Sequence, residues 1–540
     1  MRRSFLFLAL LLSINFLPAQ SLQRPKLVVG IVIDQMRWDY LYRFYELYHP
    51  AGGFKRLLGQ GFSCENTFIP YTPTVTAAGH TCAYTGSVPA IHGIVGNNWW
   101  DRQKNKLVYC TDDDSAQGVG SNSIWGKMSP RNMFTTTIGD ELRLATNFQS
   151  KVIGIALKDR GSILPAGHSA TAAYWYDYAG KFITSTYYMK ELPAWVQAFN
   201  KRNLVDSLYQ LKWDLSLPRS TYSKYCTDDD KWYETKPLGA DQTMFPYDLS
   251  RFAGKDYGKI ASTPYGNVYT EAMAEAAVVA ERLGRNTATD LLAVSFSSPD
   301  YIGHAFGPNS WEQLDDYVRL DLTLGKFFAF LDGYVGKGNY TVFLTADHAV
   351  AHVPNFSIEN KLPGGAFPDI EITRKMNVGL RTKYGKERII LDTYNYMVVY
   401  NDSLINADNL NREEIETWTV DFLRKQKEIM QAFRIADLNT TPLTATQRER
   451  INNGYYYPRC GDVAFILKPG YVEGTGNGTS HGLWNPYDSH IPLLWYGWGI
   501  KQGKTNRETY MTDIAATLAA LLHVQMPSGC IGKVIEEVKR

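Results

Sequence analysis

The sequence predicts an α/β protein with a mostly parallel central sheet flanked by helices and carrying inserted capping segments. Two observations lead there. Apolar, β-branched runs at 27–33, 152–157, 290–296, 340–345 and 491–496 read as strands. Between them lie stretches such as 267–284 and 311–333, whose apolar residues recur at three and four, the spacing of helices packed on a sheet. Strand–helix alternation of this kind builds a parallel sheet. Three of the runs lead into an aspartate: Leu27–Asp34, Asp290–Asp300 and Tyr340–Asp347. In such sheets ligands bind beyond the carboxyl ends of the strands, so Asp34, Asp300 and Asp347 fall where a site is expected.

The remaining segments bound the architecture. The chain has 540 residues, more than one compact core usually holds, which predicts one elaborated domain or two. Residues 170–265 are rich in Tyr, Trp, Thr and Lys, and residues 355–470 mix charged helical stretches with loops and Pro. Neither follows the alternation, so both read as insertions that cap the active edge of the sheet. At the start, Arg2-Arg3 precedes a short apolar run and a Pro-Ala-Gln exit at residue 20. This is the form of a secretory signal peptide over 1–20, and the run is short for a membrane span. The expected protein is therefore periplasmic or secreted, with no stable membrane insertion once the signal is removed. A formal net charge of +2 provides no electrostatic case for a nucleic-acid partner. The six cysteines (Cys64, Cys82, Cys110, Cys226, Cys460, Cys530) form no Cys-x-x-Cys pair, which argues against a zinc knuckle or a thioredoxin-type motif. The segment Tyr-Cys-Thr-Asp-Asp-Asp occurs at 109–114 and again at 225–230. A Cys110–Cys226 bridge and an acidic ion-binding loop are readings of that repeat. Chance similarity of two solvated turns is the preferred one.

Several residues suggest hydrolytic metal chemistry. Asp300 and His304 stand at i and i+4, on one side of a helix if a helix opens there. His348 follows Asp347 directly, and His481 sits in Gly-Thr-Ser-His-Gly. Three carboxylates and three imidazoles suffice for two divalent ions, and mixed nitrogen and oxygen ligands suit Zn²⁺. Each pair alone more often reflects ordinary surface or structural residues; their common position after strands and in a Gly-rich loop strengthens the set. Thr76, followed by small residues that can open a helix, is a nucleophile candidate, since a metal ion lowers the pKa of a hydroxyl. An N-cap role for Thr76 is an equal reading, and Thr72, Thr74 and Thr81 compete with it. Lys158 and Arg160 follow the 152–157 strand. With Asn97 they would suit phosphate oxygens, although a Lys-x-Arg at a strand end is usually only solvated.

Taken together, Asp34-Gln-Met-Arg-Trp-Asp-Tyr, Gly-His-Thr around His80, Leu-Lys-Asp-Arg, Ile-Leu-Pro-Ala-Gly-His168, Ala-Asp-His348 and the C-terminal Gly-Trp-Gly-Ile resemble the alkaline phosphatase superfamily. Within it they are most similar to the threonine-nucleophile, zinc-dependent PafA-type enzymes of bacteria, near the nucleotide pyrophosphatase/phosphodiesterase branch. The resemblance spans essentially the whole mature chain. It implies two Zn²⁺ ions, one held by Asp300, His304 and His481, the other by Asp34, Asp347, His348 and the Thr76 oxygen. It also implies that Thr76 is the nucleophile and that Asn97, Lys158 and Arg160 contact the phosphoryl oxygens. His80, His168 and His352 are expected to be structural. With two such ions, the formal charge of the site is about +3 before the nucleophile ionises. That charge favours a dianionic phosphate monoester over a diester, leaving a phosphodiesterase as the alternative. No cysteine lies in the Cys-x-Pro-x-Arg pattern of a sulfatase. The expected partner is a small phosphate monoester, and the expected assembly is a monomer.

Overall fold

A computed structural model describes residues 22–540, so the expected signal peptide over 1–20 lies outside the described residues. The central sheet has ten strands. Seven of them carry the argument: β1 (Leu27–Ile33), β2 (Val152–Ala156), β3 (Ala172–Tyr176), β4 (Phe182–Ser185), β5 (Asp290–Phe296), β6 (Tyr340–Thr345) and β7 (Leu493–Gly497). Across the sheet they run β7-β6-β1-β5-β2-β3-β4. The five strands from β6 to β3 are mutually parallel, while β7 and β4 flank them antiparallel. Every residue of β1, β5 and β6 is buried. Strands covered on both faces read as near-continuous apolar runs, which made these three visible in the sequence.

Five helices position the site: α1 (Thr76–Thr85), α2 (Asp159–Ala166), α3 (Tyr265–Ala280), α4 (Ser298–Phe306) and α5 (Trp311–Leu331). The expected helices 267–284 and 311–333 correspond to α3 and α5 with shifted ends. α3 stops before Arg282 and Gly284, both at positive φ. α5 starts at a Ser310 cap, whose side chain accepts from Gln313 N, and ends in a π turn over Asp332–Gly336.

Two expectations need correction. The run 491–496 is not one strand: His490–Ile491 pairs with Thr67–Phe68 in a separate sheet, and only Leu493–Gly497 joins β6. Pro492 divides them, because it has no N–H to donate to a ladder. The segment 170–265 is not wholly an insertion either, since β3 and β4 extend the central sheet. Their aromatic residues obscured the pattern, yet Tyr174, Trp175 and Tyr176 are core residues. Within 355–470 lies a four-stranded antiparallel sheet (Ile390–Tyr394, Met397–Tyr400, Val463–Leu467, Ile429–Arg434). Helices Asp369–Tyr384 and Arg412–Arg424 accompany it, and it has an apolar core of its own.

Phe343 of β6 is fully buried, its ring 5.4 Å from Tyr84 of α1 and 5.8 Å from Trp495 of β7. Its contacts therefore join the sheet to the helix that carries Thr76. Phe343→Ala is expected to cost about 3–5 kcal/mol, read as a lower urea midpoint with an unchanged slope.

Candidate active site

Four neighbouring strands, β6, β1, β5 and β2, deliver Asp347, Asp34, Asp300 and Lys158 to one edge of the sheet. The order follows from the parallel register, which aligns Ile33 with Phe296 and Ser295 with Ala156. Asp34 N donates to the Phe296 carbonyl at 3.0 Å, fixing the turn out of β1. Two groups of side chains that could hold a metal ion form here. Asp300, His304 and His481 make one; Asp34, Asp347 and His348 make the other. Within each group the ligand atoms lie within 4.8 Å of one another.

Hydrogen bonds orient all three imidazoles. His304 Nδ1 donates to the Thr479 carbonyl at 2.7 Å, His481 Nδ1 to the Thr74 carbonyl at 2.7 Å, and His348 Nδ1 to the Ala349 carbonyl at 3.0 Å. A carbonyl only accepts, so each Nδ1 carries the proton and each neutral ring presents a bare Nε2. His304 Nε2 faces Asp300 Oδ1 at 3.2 Å, and His348 Nε2 lies 3.5 Å from both Asp34 Oδ1 and Asp347 Oδ2. Lone pairs thus point at lone pairs. Asp34 Oδ1 is buried with no hydrogen-bond donor. A divalent cation in each group would satisfy these atoms, and the donor sets of one carboxylate with two imidazoles and two carboxylates with one imidazole fit zinc. His304 is the open side of the cluster, its side chain 37% exposed.

Electrostatics support the same conclusion. Lys158 is 2% exposed, and its Nζ sits 2.7 Å from Asp34 Oδ2 and 2.6 Å from Asp300 Oδ2. One ammonium cannot balance three buried carboxylates. Burial, together with the charges of Asp300 and Asp347, pushes the Asp34 carboxyl well above its usual range. Burial also opposes the charge on Asp300 and Asp347; both are nonetheless lowered, Asp300 by His304 and Lys158 and Asp347 by His348 and His80 where those imidazoles take up a proton. Without an ion the cluster thus draws in the positive charge that a metal would supply at neutral rings. Burial, reinforced by His348 and His304, holds His481 well below an ordinary histidine, in the neutral form that a metal ligand needs.

Thr76 is the first residue of α1, with Val75 as its cap residue and no side-chain cap bond, so the N-cap reading does not hold. Its Oγ1 lies 3.5 Å from His348 Nε2. The competing hydroxyls are committed elsewhere: Thr72 donates to the Gly482 carbonyl, Thr74 to Leu483 and Thr81 to Ala77. Gly79 lets α1 approach the metal ligands, since a Cβ there would stand 2.2 Å from the Asp347 carbonyl oxygen. Asn97 Oδ1 accepts from Ala77 N at 2.9 Å, which places this amide beside Thr76. Lys158, expected to face phosphoryl oxygens, has two of its three N–H groups engaged by Asp34 and Asp300 and one remaining.

His80 is fully buried, with Nδ1 2.9 Å from the Thr76 carbonyl and 3.2 Å from Asp347 Oδ2, and Nε2 2.8 Å from Ser295 Oγ. It therefore buttresses the ligand Asp347. His352 packs on Phe356 and bonds Asn309, and His168 lies outside both groups. The sequence reading missed Tyr109. Arg160 Nη1 donates to Tyr109 Oη at 2.9 Å, and that hydroxyl donates to Asp159 Oδ1 at 2.9 Å. The repeat at 109–114 was the available signal, but the second copy does something else: the Tyr225 carbonyl accepts from Arg43. All six cysteines are unpaired, so there is no Cys110–Cys226 bridge. A surface groove of about 460 Å³, bordered by Trp38, Tyr42, Glu65 and Lys504, contains none of the site residues. Side-chain chemistry, not concavity, locates the site.

Comparison with known proteins agrees with this geometry. The alkaline phosphatase PhoV of Synechococcus elongatus is 50% identical over 520 residues, covering 96% of this chain and 94% of that protein. The alkaline phosphatase PafA of Elizabethkingia meningoseptica is 47% identical, covering 96% and 95%. A Myroides odoratus protein named calcium-transporting ATPase is 48% identical, covering 97% and 96%. A crystal structure of wild-type alkaline phosphatase PafA matches with a TM-score of 0.94 at 46% identity, covering 96% of this chain and 100% of that one. The family described as type I phosphodiesterase / nucleotide pyrophosphatase matches residues 28–488. The chain belongs to this family, and within it to the group that resembles the bacterial alkaline phosphatases PafA and PhoV.

Proposed function

We propose that this chain is a zinc-dependent alkaline phosphatase that hydrolyses phosphate monoesters through a phosphothreonine. One observation carries the reading: the otherwise uncommitted hydroxyl of Thr76 lies 3.5 Å from His348 Nε2, beside two groups of facing ligand lone pairs. Zinc ions held by Asp300, His304 and His481 and by Asp34, Asp347 and His348 would supply Lewis acidity, lowering the proton affinity of the Thr76 hydroxyl and stabilising the departing oxygen. The Thr76 oxygen, its proton released to solvent, attacks phosphorus in line, and the ester oxygen leaves with its electron pair and takes up a proton from solvent. Water then cleaves the phosphothreonine, releasing phosphate and restoring the hydroxyl.

Asn97, the third N–H of Lys158 and Arg160 stabilise the equatorial oxygens, where electrostatics contributes most in phosphoryl transfer. The Asp159–Tyr109 chain holds the Arg160 guanidinium. These cations favour a dianionic monoester, while the family description keeps diester hydrolysis as the second reading. Asn395 Nδ2 donates to the Asn98 carbonyl at 3.2 Å and Tyr396 Oη to the His481 carbonyl at 3.4 Å, so the hairpin of the 355–470 segment serves as a cap beside the site. The export-type segment at 1–20 supports a periplasmic or secreted enzyme. Among the described residues no helix is long and apolar enough to cross a membrane.

Thr76→Ala is expected to lower monoester hydrolysis by at least about 10³-fold, and acid-quenched wild-type enzyme should yield a peptide phosphorylated on Thr76. Full activity in Thr76→Ala, or no such peptide from a turning-over enzyme, removes the covalent route. On nitrophenyl phosphate against its bis-nitrophenyl diester, the monoester is expected to react faster, with phosphate release from ATP followed alongside. Lys158→Ala should lose about 10²-fold or more on the monoester and less on the diester; equal losses would show that Lys158 does not sense the second charge. Chelation should abolish turnover, and zinc, with two equivalents bound, should restore it.

A further inference from the structure

Gln35 touches both ligand groups at once. Its backbone N–H donates to Asp347 Oδ1 at 3.1 Å, and its side-chain Nε2 donates to Asp300 Oδ1 at 2.7 Å. Asp347 belongs to one group and Asp300 to the other. The residue is fully buried, so neither carboxylate has water to replace these donors. Gln35 manages both contacts because it turns the chain at the end of β1 with φ at 68°. A side-chain-bearing residue seldom holds that conformation unless its surroundings impose it, and such backbone gathers at functional sites. Glutamine also lacks the short local hydrogen bonds by which Asn or Asp favour it.

A second observation comes from the helix that faces Gln35. α4, which carries Asp300 and His304, has Gly303 between them. A Cβ there would stand 1.9 Å from Gln35 Oε1. The helix therefore leaves space for this amide one residue before a ligand. On the other side of Asp300, Lys158 Nζ holds Oδ2, so the two oxygens are gripped from opposite flanks by different donors.

We propose that Gln35 is a positioning residue that locks the two metal groups into one register. Its amide fixes the Asp300 carboxylate and its backbone fixes Asp347, so the spacing between the ions is set by one residue. The inference rests on the reading of both groups as zinc sites. Without the amide donor, Asp300 keeps only Lys158 as a polar anchor and is free to rotate away from His304 and His481. The other group retains the Gln35 backbone N–H and is unaffected.

Two variants remove the same bond from opposite sides. Gln35→Met keeps the length of the side chain without its donor, and Gly303→Ala places a methyl group where the amide lies. Zinc binding to the metal-free full chain is titrated against a chromophoric chelator. Wild type is expected to bind two zinc ions. Each variant should bind one ion as wild type does and the other about 10–100-fold more weakly, the usual cost of losing such an outer hydrogen bond. In a His481→Ala background, which already cripples the Asp300 group, Gln35→Met should cause no further loss. The inference is overturned if Gln35→Met binds both ions like wild type, or loses both equally. Gln35→Met decides the matter if Gly303→Ala does not fold. A wild-type protein that binds no zinc overturns the site reading and this inference together.

Discussion

The structure depends on a charge problem at the carboxyl edge of four adjacent strands. Asp347, Asp34 and Asp300 are buried side by side, and a single ammonium, Lys158, lies among them. Buried like charges are expensive, and one ammonium does not balance three carboxylates. The three imidazoles add to the demand, because their bonds to backbone carbonyls commit the proton to Nδ1 and leave bare nitrogens facing the carboxylates. Two divalent ions would resolve both problems, so the imbalance within the cluster is what marks it as a candidate metal centre.

The scaffold is arranged to hold that cluster still. Parallel pairing sets which strand ends are neighbours, and α4 and the loops around His348 and His481 then add imidazoles from outside the sheet. The His481 loop is tied down from two sides: Thr479 N donates to the His304 carbonyl, and Thr74 N to the Gly482 carbonyl. These bonds run between the loops that carry ligands of the same group and the segment leading to Thr76. Close approach of α1 to the end of β6 needs a residue without a Cβ, and Gly79 supplies it. The small residues around Thr76 thus reflect packing against a metal ligand as much as helix formation.

Lys158 links a carboxylate of one candidate ligand group to a carboxylate of the other. Its Nζ donates to Asp34 Oδ2 at 2.7 Å and Asp300 Oδ2 at 2.6 Å and keeps one N–H uncommitted. Arg160 is held differently, through Tyr109 and Asp159. One cation is tied to the ligand carboxylates and the other to a separate polar chain, so the two can be perturbed separately. The hairpin with Asn395 and Tyr396, both at positive φ, reaches the same neighbourhood from a segment with its own apolar core.

The strongest sequence signals were those that depend on neighbours along the chain. Runs such as Leu27–Ile33 are apolar throughout because both faces of a central parallel strand are covered, and the aspartates that follow are local to them. The i, i+4 spacing of Asp300 and His304 and the small residues after Thr76 are equally local. The pairing of β5 with β1 and β2, and hence the grouping of Asp300 with a histidine 181 positions away, is a long-range outcome that residue spacing alone left open until a family resemblance supplied it. Strands β3 and β4 were hidden because aromatic residues serve a covered edge of a sheet as well as they serve a loop. Gln35, Tyr109 and His80 were illegible as functional residues for one reason: each acts through a hydrogen bond to a residue distant in sequence. The sequence by itself determined the strands, the helices and the chemical types at their ends; only the tertiary structure decided which of those ends meet, because burial and hydrogen bonding between distant segments have no counterpart in local pattern.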